Sequence, residues 1–182
     1  EERERAVALG AKLIGINNRN LRDLSTDINR TFELVKDIPE DRLVISESGI
    51  YTNKQVRTLA PVVNGFLVGS SLMAEDDLDL ACRKLIFGEN KVCGLTSVSA
   101  AKMVSQAGAA FGGLIFAPKS PRCVTEEIAK NIVNSQPSLN YVGVFVDQDI
   151  NYVSALADTL NLAVVQLHGQ EDNNYINKLK EK

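Results

Sequence analysis

Three chemically able side chains each close a short apolar run. Asn17 follows Leu13-Ile14-Gly15-Ile16, Glu47 follows Leu43-Val44-Ile45-Ser46, and Cys93 follows Lys91-Val92. A thiol so placed is a base or nucleophile where a polar, partly open setting lowers its pKa, and otherwise an inert packing residue. A carboxylate at the end of a buried strand must be solvated, paired or functional, because burying it unpaired is expensive. At the mouth of a cavity it acts as a base or holds a cationic intermediate. Asn17-Asn18-Arg19 reads equally well as a turn, since Asn tolerates left-handed geometry.

Other residues supply binding chemistry. Gly49, and Gly69-Ser70 after the next apolar run, expose backbone N–H groups that let a phosphate approach the main chain; ordinary turn chemistry is the competing reading. Ser48 lies between Glu47 and Gly49. Arg122, in Lys119-Ser120-Pro121-Arg122, suits a bidentate clamp on a carboxylate or phosphate, or is plain surface charge. His168 follows Val164-Val165-Gln166-Leu167, as a site residue or a loop-end histidine. It is the only histidine of the chain, which excludes a multi-His metal site within it. Cys82, Cys93 and Cys123 have no zinc spacing, so neither a metal nor another cofactor is expected. Cys82 falls in a helical stretch and Cys123 in a loop, where both read as structural.

Elements that position these residues follow from periodicity. Apolar runs at 13–17, 43–46, 65–68, 91–93, 113–116, 141–146 and 163–167 read as buried parallel strands. Between them, amphipathic stretches at 1–11, 27–38, 53–59, 76–87, 97–107, 125–134, 151–160 and 172–180 read as helices. Seven strands and eight helices in strict alternation imply right-handed βαβ crossovers and a parallel sheet. Uniformly apolar strands are expected where both faces of a sheet are covered. A doubly wound binding module would place a Gly-rich phosphate fingerprint after its first strand, and no GxGxxG or GxxxxGK[ST] is present. A (βα)8 barrel places polar residues at the C-terminal ends of several strands, as Asn17, Glu47, Ser70, Cys93, Arg122 and His168 stand here. The predicted fold class is therefore α/β, built of parallel (βα)8 TIM-barrel units. The one break in register is Phe87-Gly88-Glu89-Asn90, which divides the chain into 1–88 and 89–182.

Composition narrows the partners. The chain has 182 residues, 45% of them hydrophobic, enough for a sizeable core, and a net charge of −3. No basic block suggests nucleic acid or a membrane surface as a partner. The longest apolar runs are far short of a membrane span. Glu1-Glu2-Arg3-Glu4-Arg5 is not a secretory signal, and an odd cysteine count fits a reducing cytoplasm. Without an initiating Met, the chain is expected to be a slice of something longer.

Taken together, the motifs resemble two enzyme families in succession. Gly15-Ile-Asn-Asn-Arg19, Ser46-Glu-Ser-Gly49 and Gly65-Phe-Leu-Val-Gly-Ser-Ser-Leu-Met73 resemble the C-terminal half of the indole-3-glycerol phosphate synthases. Lys91-Val-Cys-Gly-Leu-Thr96, Gly113-Leu-Ile-Phe116 with Ser120-Pro-Arg122, Val142-Gly-Val-Phe145 and Val165-Gln-Leu-His-Gly169 resemble the N-terminal half of the phosphoribosylanthranilate isomerases. Their order resembles that of the bifunctional bacterial enzymes of tryptophan biosynthesis. The resemblance implies the C-terminal half of one barrel followed by the N-terminal half of another, acting on phosphorylated small molecules, in a cytoplasmic and monomeric parent.

In the first family the barrel closes an indole ring with loss of CO2 and water. The resemblance implies substrate contact by Asn17 and Glu47, help from Ser48, and a phosphate held by Gly49, Gly69 and Ser70. The family's catalytic lysines and earlier glutamates would precede this chain. In the second family the reaction is an Amadori rearrangement of an aminoaldose to an aminoketose. The resemblance implies Cys93 as general base, Arg122 on the anthranilate carboxylate and His168 lining the pocket. The general acid and the phosphate site would lie on strands beyond Lys182. The rival expectation is non-enzymatic: a half-barrel fusion whose two parts build one hybrid sheet.

Overall fold

The computed structural model describes residues 2–181. Two compact units divide it, 1–88 and 89–182, and each is built of alternating strands and helices. The first unit runs α1 (Glu2–Ala8), β1 (Leu13–Asn17), α2 (Asn29–Val35), β2 (Leu43–Glu47), α3 (Asn53–Leu59), β3 (Gly65–Leu67), α4 (Ser70–Met73) and α5 (Leu78–Phe87). The second runs β4 (Lys91–Cys93), α6 (Val98–Gln106), β5 (Phe111–Ile115), α7 (Glu126–Ser135), β6 (Asn140–Phe145), α8 (Ile150–Thr159), β7 (Val164–Leu167) and α9 (Asn173–Lys180). All strand pairs are parallel and sequential, β1-β2-β3 in one sheet and β4-β5-β6-β7 in the other. The seven expected strands are present. Among the described residues the strands pair in two sheets, and the one hybrid sheet of the rival expectation is not formed.

Helix starts follow side-chain chemistry. Asp77, Ser97, Thr125, Asp149 and Asp172 are N-caps whose side chains accept from the backbone N–H groups of the first turn. Thr52 opens α3 with a reciprocal capping box to Gln55. Each such cap contributes about 1 kcal/mol by satisfying a donor that the helix leaves orphaned. The structure adds one short helix to the expected eight, α4 directly behind Gly69. Its single turn is too short for a periodic pattern to show. Helix α2 is shorter than its 27–38 amphipathic stretch at both ends, and at the first end the Asp27 carboxylate accepts from Asn29 N–H in a turn ahead of it.

In the first unit the described residues cover one face of the sheet. Ile14, Ile16 and Val44 pack with Ile38 on the helix side, whereas Leu13, Leu43 and Leu67 are 59%, 53% and 61% exposed. Apolar composition therefore records two apolar faces, of which helices cover one. In the second unit β5 and β6 are buried on both faces. Leu114, Phe116, Tyr141 and Phe145 meet Ala129, Ile132, Val153 and Leu156 on the helix side, with Phe116 stacked on Phe145 at 5.2 Å. On the opposite face Ile115, Ala117 and Val144 cluster beside Cys93 and Val146. Lys91 of β4 donates across that face to Gln166 of β7. Strands three places apart in a flat sheet lie about 14 Å apart, beyond the reach of the pair, so the sheet curls into an arc over this face.

Candidate functional site

The strand ends carry the sequence-expected residues in two groups, one per unit. Asn17 and Glu47 are register partners on adjacent strands, so they share the open face of the first sheet. Gly15 lies two residues before Asn17 on that face. A Cβ there would stand 2.1 Å from Glu47 Oε1, so the absence of a side chain at Gly15 makes the bed on which the carboxylate lies. Asn17 Oδ1 accepts from Arg19 N–H at 2.9 Å, which turns the chain out of β1. The loop that follows is held by its own polar groups: the Ser25 side chain and N–H keep the Asp23 carboxyl below the usual carboxylate range.

Past Glu47 the backbone makes two successive left-handed steps, Ser48 at φ 65° and Gly49 at φ 72°. The Ile50 carbonyl accepts from Ser71 Oγ at 2.7 Å, which ties this turn to the start of α4. The loop at Gly49 and the loop at Gly69-Ser70 are thereby neighbours at one end of the first sheet. Gly49 is buried while Gly69 and Ser70 are exposed.

Behind the turn is a group that strand periodicity missed. Asn18 alternates to the helix side of β1 and is 1% exposed. Its Nδ2 donates to Ser46 Oγ at 3.0 Å and to the Ser48 carbonyl at 3.1 Å. Its Oδ1 accepts from Thr31 Oγ1 at 2.8 Å, and Thr31 and Ser46 share a further 2.8 Å contact. Ser46 was the available signal: a hydroxyl on the buried face of an apolar strand requires a partner.

In the second unit Cys93 and Gly113 are register partners, and a Cβ on Gly113 would meet Cys93 Sγ at 2.8 Å and Cα at 3.0 Å. The thiol therefore lies over the bare backbone of the neighbouring strand. Arg122 Nη1 donates to the Cys93 carbonyl at 3.0 Å. The guanidinium packs on Gly94, whose φ is 88° and whose Cβ would stand 2.6 Å from Nη1. Gly94 and Leu95 both donate to the Gly113 carbonyl, which closes the loop. One donor of the arginine fork is thus engaged, and the rest of the fork suits an anion.

His168 is not brought into that pair. It is exposed and anchored by its backbone, N–H to the Phe145 carbonyl at 2.9 Å. The loops around it are clasped by Glu171, whose two oxygens accept from Asp147 N–H at 2.7 Å and Gly169 N–H at 2.8 Å. Tyr175 donates to the Gln148 carbonyl at 2.9 Å, and burial, with Glu171 and Asp149 nearby, raises its phenol. Cys82 lies within α5 and Cys123 in the loop before α7. Among the described residues no group of three or more His, Cys, Asp or Glu side chains is gathered as metal ligands. No helix among them is long and apolar enough to cross a membrane.

In comparison with known proteins, two family models match successive stretches of the chain. Residues 1–85 match the model for indole-3-glycerol phosphate synthase, and residues 90–182 match the model for N-(5'phosphoribosyl)anthranilate (PRA) isomerase. The tryptophan biosynthesis protein TrpCF of Vibrio parahaemolyticus is 57% identical over 183 residues, covering 99% of this chain and 38% of that protein. TrpCF of Salmonella typhi is 56% identical over 181 residues, covering 100% and 40%. The chain thus spans about two fifths of the curated relatives it matches. Among solved structures, phosphoribosyl anthranilate isomerase from Thermotoga maritima is 35% identical, covers 50% of this chain and 45% of that one, and superposes with a TM-score of 0.48. The enzyme from Thermus thermophilus is 34% identical with a TM-score of 0.47, covering 50% and 46%. Both matched families fold as TIM barrels, and the two parallel α/β sheets are portions of such barrels. With half of its length in the isomerase match, the chain belongs to the phosphoribosylanthranilate isomerase family, and the stretch ahead of that match, residues 1–85, is similar to indole-3-glycerol phosphate synthase.

Proposed function

We propose that this chain carries parts of both active sites of a bifunctional, cytoplasmic, monomeric enzyme of tryptophan biosynthesis, with its domain boundary between Gly88 and Glu89. One site isomerizes N-(5-phosphoribosyl)anthranilate. The other closes the indole ring of indole-3-glycerol phosphate with loss of CO2 and water. Both substrates are phosphorylated small molecules. The observation that carries the proposal is the hydrogen bond from Arg122 Nη1 to the main-chain carbonyl of Cys93 at the end of β4. It brings an anion clamp to the residue that bears the thiol, and an Amadori rearrangement of an anthranilate sugar requires both an anion clamp and a proton-transfer group.

Cys93 would move the proton at the sugar carbon, Arg122 would hold the anthranilate carboxylate, and His168 would line the pocket. An acid from a later strand would complete the proton shuttle. In the first unit Glu47 would stabilise the cationic intermediate of ring closure or take its proton. Asn17 would orient the substrate beside it, and Ser48 would assist. Gly49, Gly69 and Ser70 would present backbone N–H groups to the phosphate. The free thiols Cys82, Cys93 and Cys123 support a reducing compartment.

Two assays on the complete protein test the reading: consumption of phosphoribosylanthranilate, and release of indole-3-glycerol phosphate from the rearranged product. Absence of either activity overturns the corresponding half. The 182-residue chain by itself, purified free of host enzymes, is expected to turn over neither substrate. Groups that act as a unit lose most of their effect together.

A further inference from the structure

We propose that Asn18 is a positioning residue that aims the anion-binding face of the Ser48–Ile50 turn, with Gln55 and Ser71 as its partners in that task; the inference rests on the reading of Gly49 as a phosphate contact. Three successive carbonyls of the turn are each captured by a side chain from a different element. Ser48 C=O accepts from Asn18 Nδ2 at 3.1 Å, Gly49 C=O from Gln55 Nε2 at 3.1 Å, and Ile50 C=O from Ser71 Oγ at 2.7 Å. In a trans peptide the C=O and the following N–H point in opposite directions. Capturing the Ser48 and Gly49 carbonyls therefore turns the N–H groups of Gly49 and Ile50 away from Asn18 and Gln55. Neither N–H donates to another group among the described residues. The next two, Tyr51 and Thr52, are already spent on Gln55 Oε1.

The turn does not hold this shape cheaply. Ser48 at φ 65° is a left-handed non-glycine, a conformation that persists only where the surroundings over-determine it. Asn18 suits the task because one NH2 group reaches both Ser46 Oγ and the Ser48 carbonyl, while its Oδ1 accepts from Thr31 Oγ1. An aspartate would set a carboxylate against the Ser48 carbonyl, and an alanine would free that carbonyl to rotate.

The test is a titration of the chain with inorganic phosphate, followed at the Gly49, Ile50, Gly69 and Ser70 amide signals. Asn18→Ala is expected to weaken phosphate by about five- to tenfold, the effect of losing one oriented donor on an anion. Thr31→Val removes buried hydroxyl contacts but leaves the Asn18 donors on Ser48, so its affinity should stay within about twofold. Equal affinity in wild type and Asn18→Ala overturns the inference, as does equal weakening by both substitutions. Flat wild-type signals up to roughly tens of millimolar phosphate reject the phosphate reading itself. In that event the clamp is decided by 15N relaxation. Faster motion of Gly49 and Ile50 in Asn18→Ala but not in Thr31→Val sustains it, and unchanged motion overturns it. Should Asn18→Ala fail to fold, Gln55→Ala releases the Gly49 carbonyl, whose capture turns the Ile50 N–H, and is expected to weaken phosphate about two- to threefold, while no change overturns the inference.

Discussion

Both units lay a strand-end side chain over a glycine of the neighbouring strand, Glu47 over Gly15 and Cys93 over Gly113, but they hold it in place by different means. Around Cys93 the support is apolar. A core of Leu114, Phe116, Ile132, Phe145 and Val153 lies under the sheet, the sheet curls, and register alone sets the thiol on Gly113. Around Glu47 the sheet has three strands and leaves Leu13, Leu43 and Leu67 exposed, and the loop beyond it is fixed by buried polar groups: Asn18, Thr31 and Ser46. A site on a well-packed sheet inherits its geometry from the backbone ladder. A site on a sparsely packed one needs directional bonds, because hydrophobic contact has no preferred direction.

The sharpest way to separate the two units is to remove one reactive group at a time from the complete protein. Cys93→Ser is expected to lower isomerization by about a hundredfold or more and leave ring closure within about twofold; a hydroxyl is a far poorer base near neutral pH. Glu47→Gln should do the reverse. Parallel loss of both activities in either variant would mean that the residue serves folding instead.

A methyl group on each glycine should break the symmetry. Gly113→Ala drives a Cβ against Cys93 Sγ and the backbone at Cys93 Cα, 2.8 and 3.0 Å away, so overpacking should cost about 1–3 kcal/mol in denaturant unfolding. Gly15→Ala meets only the carboxylate end of a flexible glutamate, at 2.1 Å, which swings aside. Its stability should change by less than about 1 kcal/mol while ring closure falls. Equal destabilisation by the two substitutions would erase the proposed contrast in support.

Native-state hydrogen exchange should read the same contrast without mutation. Amides of β5 and β6, buried on both faces, are expected to exchange at least about tenfold more slowly than those of β1 and β3. Uniform protection across both sheets would show that the exposed leucines of the first unit carry no cost in local stability.

The smallest effect is confined to alkaline pH and to the second unit. Burial of Tyr141, whose hydroxyl donates to the Ile132 and Gln136 carbonyls, pushes its phenol up to about 12 from 10.0. The raised value favours the neutral form in the folded state. That contribution is full below pH 10 and is lost as pH rises towards 12, because only the unfolded chain ionises in that window. Tyr141→Phe should flatten the alkaline limb of the stability profile for the second unit and leave that of the first unchanged. An identical limb in wild type and variant would assign the loss to other groups.

Much of this was legible before any coordinates. Strand–helix alternation placed all seven strands, and the C-terminal positions of Asn17, Glu47, Cys93 and Arg122 pointed to barrel mouths. These are local properties: an apolar run of four or five residues, a cap, a glycine and a change of period are read within a few neighbours. Coverage of the strands was not legible, since composition shows that Leu13 and Leu43 are apolar but not whether anything packs on them. The helix α4 was missed from periodicity for the same locality, one turn being shorter than the window that reveals a helix.

The amino-acid sequence by itself determined which residue types stand at the strand ends and the order of the elements that carry them. Only the tertiary structure decided which of them meet. Asn18 touches Thr31 and Ser46, thirteen and twenty-eight residues away, and Arg122 reaches the Cys93 carbonyl twenty-nine residues back. Such pairings depend on strand register and on the path of the intervening helix, and each is a long-range closure that no local pattern encodes. The same holds for direction. Alternation sends Asn17 to one face of β1 and Asn18 to the other, but which face is open and which is packed was settled only when the helices came down on one side.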